Sequence, residues 1–404
     1  MSITKKTIWV LNMTAGKPDS GWGERHVFLA RHWVKKGFNV KIVSGSFNHL
    51  FTEQPKIIKQ FTIEPIEEGI DFCWVKIPNY KNTGYLKMWS MLIYSFKVLF
   101  LNFKTLGIPD IILVSSMPVF ASLSGFLLSR KYKAKYIFEI RDLWPLTPIY
   151  LKNYSKYHPL ILLMFWFEKI GYKKSDYIVS VLPNANLYID KISGDSNKFH
   201  WIPNGIYIDD SKYAIEDSIK KLVPENKFIV TYTGTVGMAN AMEYFIEAAI
   251  LMKENLNIHF LIVGNGYLIN SLKEQTKELN TITFIPKIPK KYVQSVLKLS
   301  DVCYVGRYHS KLYEYGVSYN KYFDYMLSGK PVLESSAHIK DPVELSGCGI
   351  IVKPEDPDAI VKGILRLYHM TAEERQTLGQ KGYDYVLKYH TYKYLSEQYL
   401  QLFK

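Results

Sequence analysis

Cysteine is scarce in this chain: Cys73, Cys303 and Cys348 are three thiols in 404 residues, odd in number and far apart. A disulfide framework is excluded, and a reducing compartment is expected. HExxH motifs, clustered cysteines and tight acidic triplets are missing as well, so nothing in the sequence calls for a metal. Long hydrophobic runs are also lacking. The apolar stretch from Pro159 to Phe167 has nine residues, too few to span a bilayer. Lys5-Lys6 is followed only by Ile8-Trp9-Val10-Leu11 before Asn12, which is too short for a secretory signal core and reads as a first strand. No internal repeat or low-complexity segment is found.

Acidic residues are absent from one whole window. Between Phe72 and Pro109 there are five lysines, Lys76, Lys81, Lys87, Lys97 and Lys104, and no Asp or Glu, within a chain of formal net charge +14. On a helical projection Tyr85, Trp89, Ile93, Phe96, Phe100 and Phe103 share one side that the lysines avoid. Such a basic amphipathic helix suits an anionic membrane surface, with Trp89, Phe96, Lys97 and Phe100 as its contacts. It equally suits a helix covering a sheet. The lysines flanking Pro159 to Phe167 extend the same choice, which makes peripheral attachment the expectation.

Apolar residues make up 48% of a chain this long, which predicts two globular domains. Strands are expected at Thr7–Leu11, Asn39–Val43, Ile111–Ser115, Lys135–Ile140 and Tyr177–Val181, with an amphipathic helix over Trp22–Lys36. After a break at His200-Trp201-Ile202-Pro203-Asn204-Gly205, alternation restarts with Phe228–Tyr232, His259–Val263, Ile282–Ile285, Val302–Val305, Val332–Glu334 and Gly349–Val352. The fold class is therefore α/β, two doubly wound Rossmann-like domains facing a central cleft. The boundaries are 1–203, 204–382, and a C-terminal helix, 383–404, packing back on the first domain.

Chemistry is expected at the strand ends. In Ser318-Tyr-Asn-Lys-Tyr-Phe-Asp-Tyr-Met-Leu-Ser-Gly329, Ser318 is placed to cap a helix. Its first turn, at Asn320, offers N–H groups to an anion, and Lys321 and Asp324 share a face suited to a phosphate and a polyol. Gly234 and Gly237 let the backbone approach a phosphate, while Gly264, Gly266 and Lys287 either hold a base edge or form tight turns. Arg307 is a phosphate ligand or a solvated loop residue. In the first domain, Gly21, Gly23, Arg25 and His26 precede a helix, with Arg25 and His26 either lining the cleft or simply on the helix. Arg141 and Asp142 end a strand, with Asp142 either capping a helix or acting as general base.

Taken in order, Gly21-Trp-Gly-Glu-Arg25, Phe138-Glu-Ile-Arg-Asp-Leu-Trp-Pro145, Ile202-Pro-Asn-Gly205, Gly234-Thr-Val-Gly237, Val263-Gly-Asn-Gly266 and Asn320 to Pro331 resemble the retaining family 4 glycosyltransferases of GT-B fold. The likeness is nearest to the branch that builds O-antigen and capsule repeat units, N-acetylfucosamine transferases among them. The resemblance implies a donor, a UDP-sugar, in the second domain and a lipid-diphosphate-linked saccharide acceptor in the first. It further implies a cytoplasmic enzyme peripheral on the inner face of the plasma membrane, with no cofactor beyond the substrate nucleotide sugar. Asp324 stands where the family has the second glutamate of E-x7-E, which holds ribose hydroxyls. Two departures stand out. Gly316 replaces the first glutamate, and Met238-Ala239-Asn240 replace the Arg and Lys after the glycine turn, leaving Lys321 and Arg307 to supply positive charge. The competing readings are a soluble transferase with a small acceptor, a GT-B epimerase, and a basic nucleic-acid-binding protein.

Overall fold

The computed structural model describes residues 5–18, 20–81, 84–208, 213–337 and 340–404. The chain divides into two compact units. The first comprises Met1–Asn204, Tyr315–Val317 and Tyr392–Lys404, and the second Gly205–Glu314 and Ser318–Thr391.

The first unit is built on strands β1 (Thr7–Leu11), β2 (Asn39–Gly45), β3 (Phe61–Glu67), β4 (Ile70–Val75), β5 (Ile111–Ser115), β6 (Lys135–Ile140), β7 (Tyr177–Ser180) and β8 (Phe199–Trp201). Their order across the sheet is β3-β4-β2-β1-β5-β6-β7-β8. All pairs are parallel except β3 with β4. Central strands such as β1 are buried along their whole length, as a sheet covered on both faces requires. The antiparallel β3 was not expected from the sequence. It alternates polar and apolar residues and carries Pro65, which an edge strand tolerates.

The helix Arg25–Lys35 starts later than its periodicity suggests, because Gly21 and Gly23 before it take φ values of +73° and +81°. Its Trp33 packs edge-on against Tyr399, 5.4 Å between centroids, on the C-terminal helix Tyr392–Leu402. The return of the chain to the first unit thus begins at Tyr392, not at 383.

The second unit holds β9 (Phe228–Thr233), β10 (Ile258–Val263), β11 (Ile282–Ile285), β12 (Val302–Gly306), β13 (Val332–Ser335) and β14 (Gly349–Val352), all parallel, in the order β11-β10-β9-β12-β13-β14. All three cysteines are buried free thiols. Among the described residues, no helix is long and apolar enough to cross a membrane.

Candidate functional site

Lys321 lies in the first turn of the helix Asn320–Leu327 and reaches back to the mouth of β9. Its Nζ donates to the Tyr232 hydroxyl at 3.1 Å and to Asn240 Oδ1 at 2.5 Å, and it sits 4.4 Å from the Tyr232 ring centroid. The orientation of both partners is fixed from behind. The Tyr232 hydroxyl donates to Thr235 O at 2.6 Å, and Asn240 Nδ2 donates to the same oxygen at 3.0 Å. An ammonium has three N–H bonds, and these contacts use two. Burial pushes the Lys321 pKa down to about 7. Neither of these partners is a carboxylate, so the cation favours an incoming anion. A Cβ added at Gly234 would stand 3.6 Å from Lys321 Nζ, so the lysine and the glycine turn share one small space.

The same helix end has no side-chain cap. Tyr319, not Ser318, holds the N-cap position and makes no capping hydrogen bond, because the helix starts at Asn320. Asn320 is exposed and Lys321 half-buried, so the uncapped start of the helix keeps N–H groups that a bound anion can take. Asp324 is half-buried one turn on; burial raises its carboxyl above the usual value against the pull of Lys290. Gln294 Nε2 donates to its backbone carbonyl at 2.9 Å. Tyr325 ties the helix to the strand, since its hydroxyl accepts from Thr233 N at 2.8 Å.

The two glycine turns lock together. A Cβ on Gly264 would fall 1.8 Å from Gly234 O, and one on Gly266 would fall 1.9 Å from Val236 O. Val236 N donates to Asn265 O at 3.0 Å across the same contact. Gly264 and Gly266 are thus required for backbone packing that positions the first turn, rather than for an open base pocket. Gly237 is extended, with Tyr267 against it, and Lys287 is exposed, its N–H donating to Asn265 Oδ1 at 3.4 Å.

Arg307 is neither a phosphate ligand nor solvated. Its guanidinium is buried, 2.9 Å from Glu334 Oε1 and 3.0 Å from Asp341 Oδ2, and it donates to the Tyr322 hydroxyl at 3.0 Å. Its carboxylate partners use the charge that a nucleotide would need. Arg307 instead braces Tyr322 on the site helix.

Gly316 has a physical reason for not being a glutamate. Its φ is +94°, and a Cβ there would sit 2.3 Å from Pro183 Cδ. Gly316→Glu should therefore cost roughly 3 kcal/mol of stability, measured by urea unfolding, without improving donor binding.

In the first unit, Arg25 and His26 face inward. Arg25 Nε donates to Glu139 Oε1 at 3.1 Å, and its other nitrogens donate to Pro203 O (2.6 Å) and Ile202 O (3.1 Å). His26 Nε2 lies 3.0 Å from Glu139 Oε2, and its Nδ1 lies 3.1 Å from Asn12 Nδ2. Thr14 N and Oγ1 both donate to Asn12 Oδ1, which leaves Nδ2 as donor to a neutral His26 whose Nε2–H points at Glu139. Burial lowers the His26 pKa. Burial alone would raise Glu139, but His26 and Arg25 outweigh it and hold the carboxyl well below its usual value. These two residues hold β6, the segment just after β8 and, through Tyr399, the C-terminal helix together, which replaces the expected cleft-lining role.

Gly21 remains exposed at the strand mouth, while a Cβ on Gly23 would strike Thr14 O at 2.3 Å. Asp142 is exposed and caps nothing, because the next helix, Leu146–Lys152, starts behind Pro145. Arg141 NH2 donates to Asn204 Oδ1 at 3.3 Å.

Residues 227–370 match the family described as "Glycosyl transferases group 1". The match lies almost wholly in the second unit. Across the whole chain, solved structures show the same GT-B architecture. A sucrose-phosphate synthase from Thermosynechococcus elongatus superposes with a TM-score of 0.73 at 16% identity, covering 98% of both chains. HepE from Anabaena, solved with UDP and glucose, gives 0.66 at 14% identity over 98% of this chain and 99% of its own. WaaG, a glycosyltransferase involved in lipopolysaccharide biosynthesis, gives 0.67 at 13% identity with the same coverage. No curated protein matches the sequence. The residues of this site that sequence reasoning missed are Tyr232 and Asn240. Asn240 lies in the segment where the resemblance predicts a lost Arg and Lys, and it is what steers Lys321 to the turn.

Proposed function

We propose that the protein is a retaining glycosyltransferase that moves one sugar from a nucleotide-diphosphate sugar, a UDP-sugar, to a lipid-diphosphate-linked saccharide at the inner face of the plasma membrane. The product would enter a surface polysaccharide of the O-antigen or capsule kind. The observation that carries the donor half is Lys321 Nζ beside Gly234, at an uncapped helix end. Lys321 and the first-turn N–H groups stabilise the charge that grows on the departing diphosphate, and Asp324 accepts from the ribose hydroxyls. Retention follows if the acceptor oxygen bonds to the anomeric carbon on the face the phosphate leaves, with the acceptor proton passing to that phosphate. Asp142 is the alternative base. The positive charge comes from the chain itself, so the reading needs no metal.

The acceptor half is supported by the likeness to WaaG, a glycosyltransferase involved in lipopolysaccharide biosynthesis, and by the exposed aromatic face of the first unit. Asp324→Ala is expected to weaken UDP-sugar binding about 10- to 100-fold with the fold retained, read by calorimetry. A panel of UDP-, GDP- and dTDP-sugars scored by thermal stabilisation identifies the donor. Transfer to a lipid-diphosphate-linked saccharide, with none to the free saccharide, is the result expected. Equal transfer to both would favour the soluble transferase.

A further inference from the structure

The helix Tyr85–Lys97 packs inward with Ser90, Met91, Tyr94 and Ser95. Trp89 and Phe96 point outward, 56% and 62% exposed, and Phe100 just beyond is 61% exposed. Beneath this rim lies an apolar groove of about 940 Å³, lined among others by Ile77, Leu92, Phe96, Leu123 and Phe167. Its volume is that of a pocket for a small organic ligand. An exposed apolar groove of this size has a partner.

The charge around it says which kind. The helices that meet here, Tyr85–Lys97, Ala121–Tyr132 and Pro159–Lys174, carry Lys87, Lys97, Arg130, Lys131, Lys169, Lys173 and Lys174. Their one acid, Glu168, is 1% exposed and bonded to the Tyr172 and Tyr188 hydroxyls. Two of the lining residues are Lys76 and Lys97. Lys97 Nζ donates to Lys76 O at 2.7 Å, and among the described residues neither lysine forms a salt bridge. Burial lowers the Lys97 pKa, and the Lys76 charge lowers it further. Two adjacent cations at the edge of a hydrocarbon-lined groove match one molecule with an anionic head and an apolar tail.

We propose that this groove seats one acyl chain of an anionic phospholipid drawn from the bilayer interface, with Lys76 and Lys97 on its phosphate. The exposed Trp89, Phe96 and Phe100 then lie in the surrounding headgroup layer, so the first unit is held by a bound lipid as well as by adsorption. This seat belongs to the first unit alone and does not depend on the donor assignment.

The probe is monomeric dioctanoylphosphatidylglycerol titrated calorimetrically into the full chain, with UDP-sugar affinity measured in the same samples. Saturable one-to-one binding is expected. Leu92→Trp, which fills the groove, should abolish it. Lys76→Gln and Lys97→Gln should each weaken it about fivefold, the equivalent of about 1 kcal/mol per lysine. UDP-sugar affinity should stay unchanged in all three variants, so a failure here is distinct from a failure of the donor reading. The proposal is overturned if wild-type protein shows no saturable binding, which leaves the face to a protein partner. It is equally overturned if glycerol phosphate without chains binds as tightly, or if the lysine variants bind like wild type.

Discussion

Lys321→Met is expected to weaken UDP-sugar binding by about 30- to 150-fold, the loss of roughly 2–3 kcal/mol for a charge-assisted bond to phosphate. The pH dependence separates this from a general packing defect. In the free protein the Lys321 pKa is pushed down to about 7, so the ammonium is present below that pH and lost above it. A bound diphosphate favours the charged form and raises the pKa in the complex. Between the two values each unit of pH should weaken wild-type binding about tenfold, while the methionine side chain of the variant titrates nothing and its profile stays flat. Stability runs the other way. The folded pKa lies below the ordinary 10.5, so above pH 7 the unfolded chain binds more protons, and stability rises with pH until about 10.5. Lys321→Met should remove that rise, and urea unfolding across the range reads it.

Arg25→Met carries the largest expected stability loss, about 3–5 kcal/mol, because it strands the Glu139 carboxylate where it is fully buried. Arg25 also bonds two backbone carbonyls ahead of Asn204, so the effect is not confined to one ion pair. Replacing both partners, Arg25→Met with Glu139→Leu, should recover much of the loss, since no lone charge is then left inside. A residue that served only the acceptor would behave differently: Arg25→Met would lower transfer while leaving the urea midpoint in place.

The pair shows what a linear reading can and cannot reach. Buried parallel strands such as β1 and β5 announce themselves as short apolar runs, and β5, β6, β11 and β14 begin and end where the sequence suggests. The β3–β4 edge does not, because alternation with Pro65 and Glu64 looks like loop. Lys321 could be read as an anion ligand from its place on a helix after a strand. Its partners could not, because Tyr232 and Asn240 lie 89 and 81 residues away and only the folded chain brings them together. The same blindness misdirected Arg25, His26 and Arg307. A charge at a strand end looks like a ligand until the carboxylate it serves is known, and Glu139 is 114 residues from Arg25. Gly316 is the converse case, where a missing carboxylate in the motif is explained by Pro183 in space.

The most direct test of the donor site is a crystal structure of the protein with UDP bound. The account predicts a diphosphate oxygen within hydrogen-bond reach of Lys321 Nζ and of the backbone at Gly234, with both ribose hydroxyls on the Asp324 carboxylate. UDP bound elsewhere in the second unit, with Lys321 still holding only Tyr232 and Asn240, would contradict it.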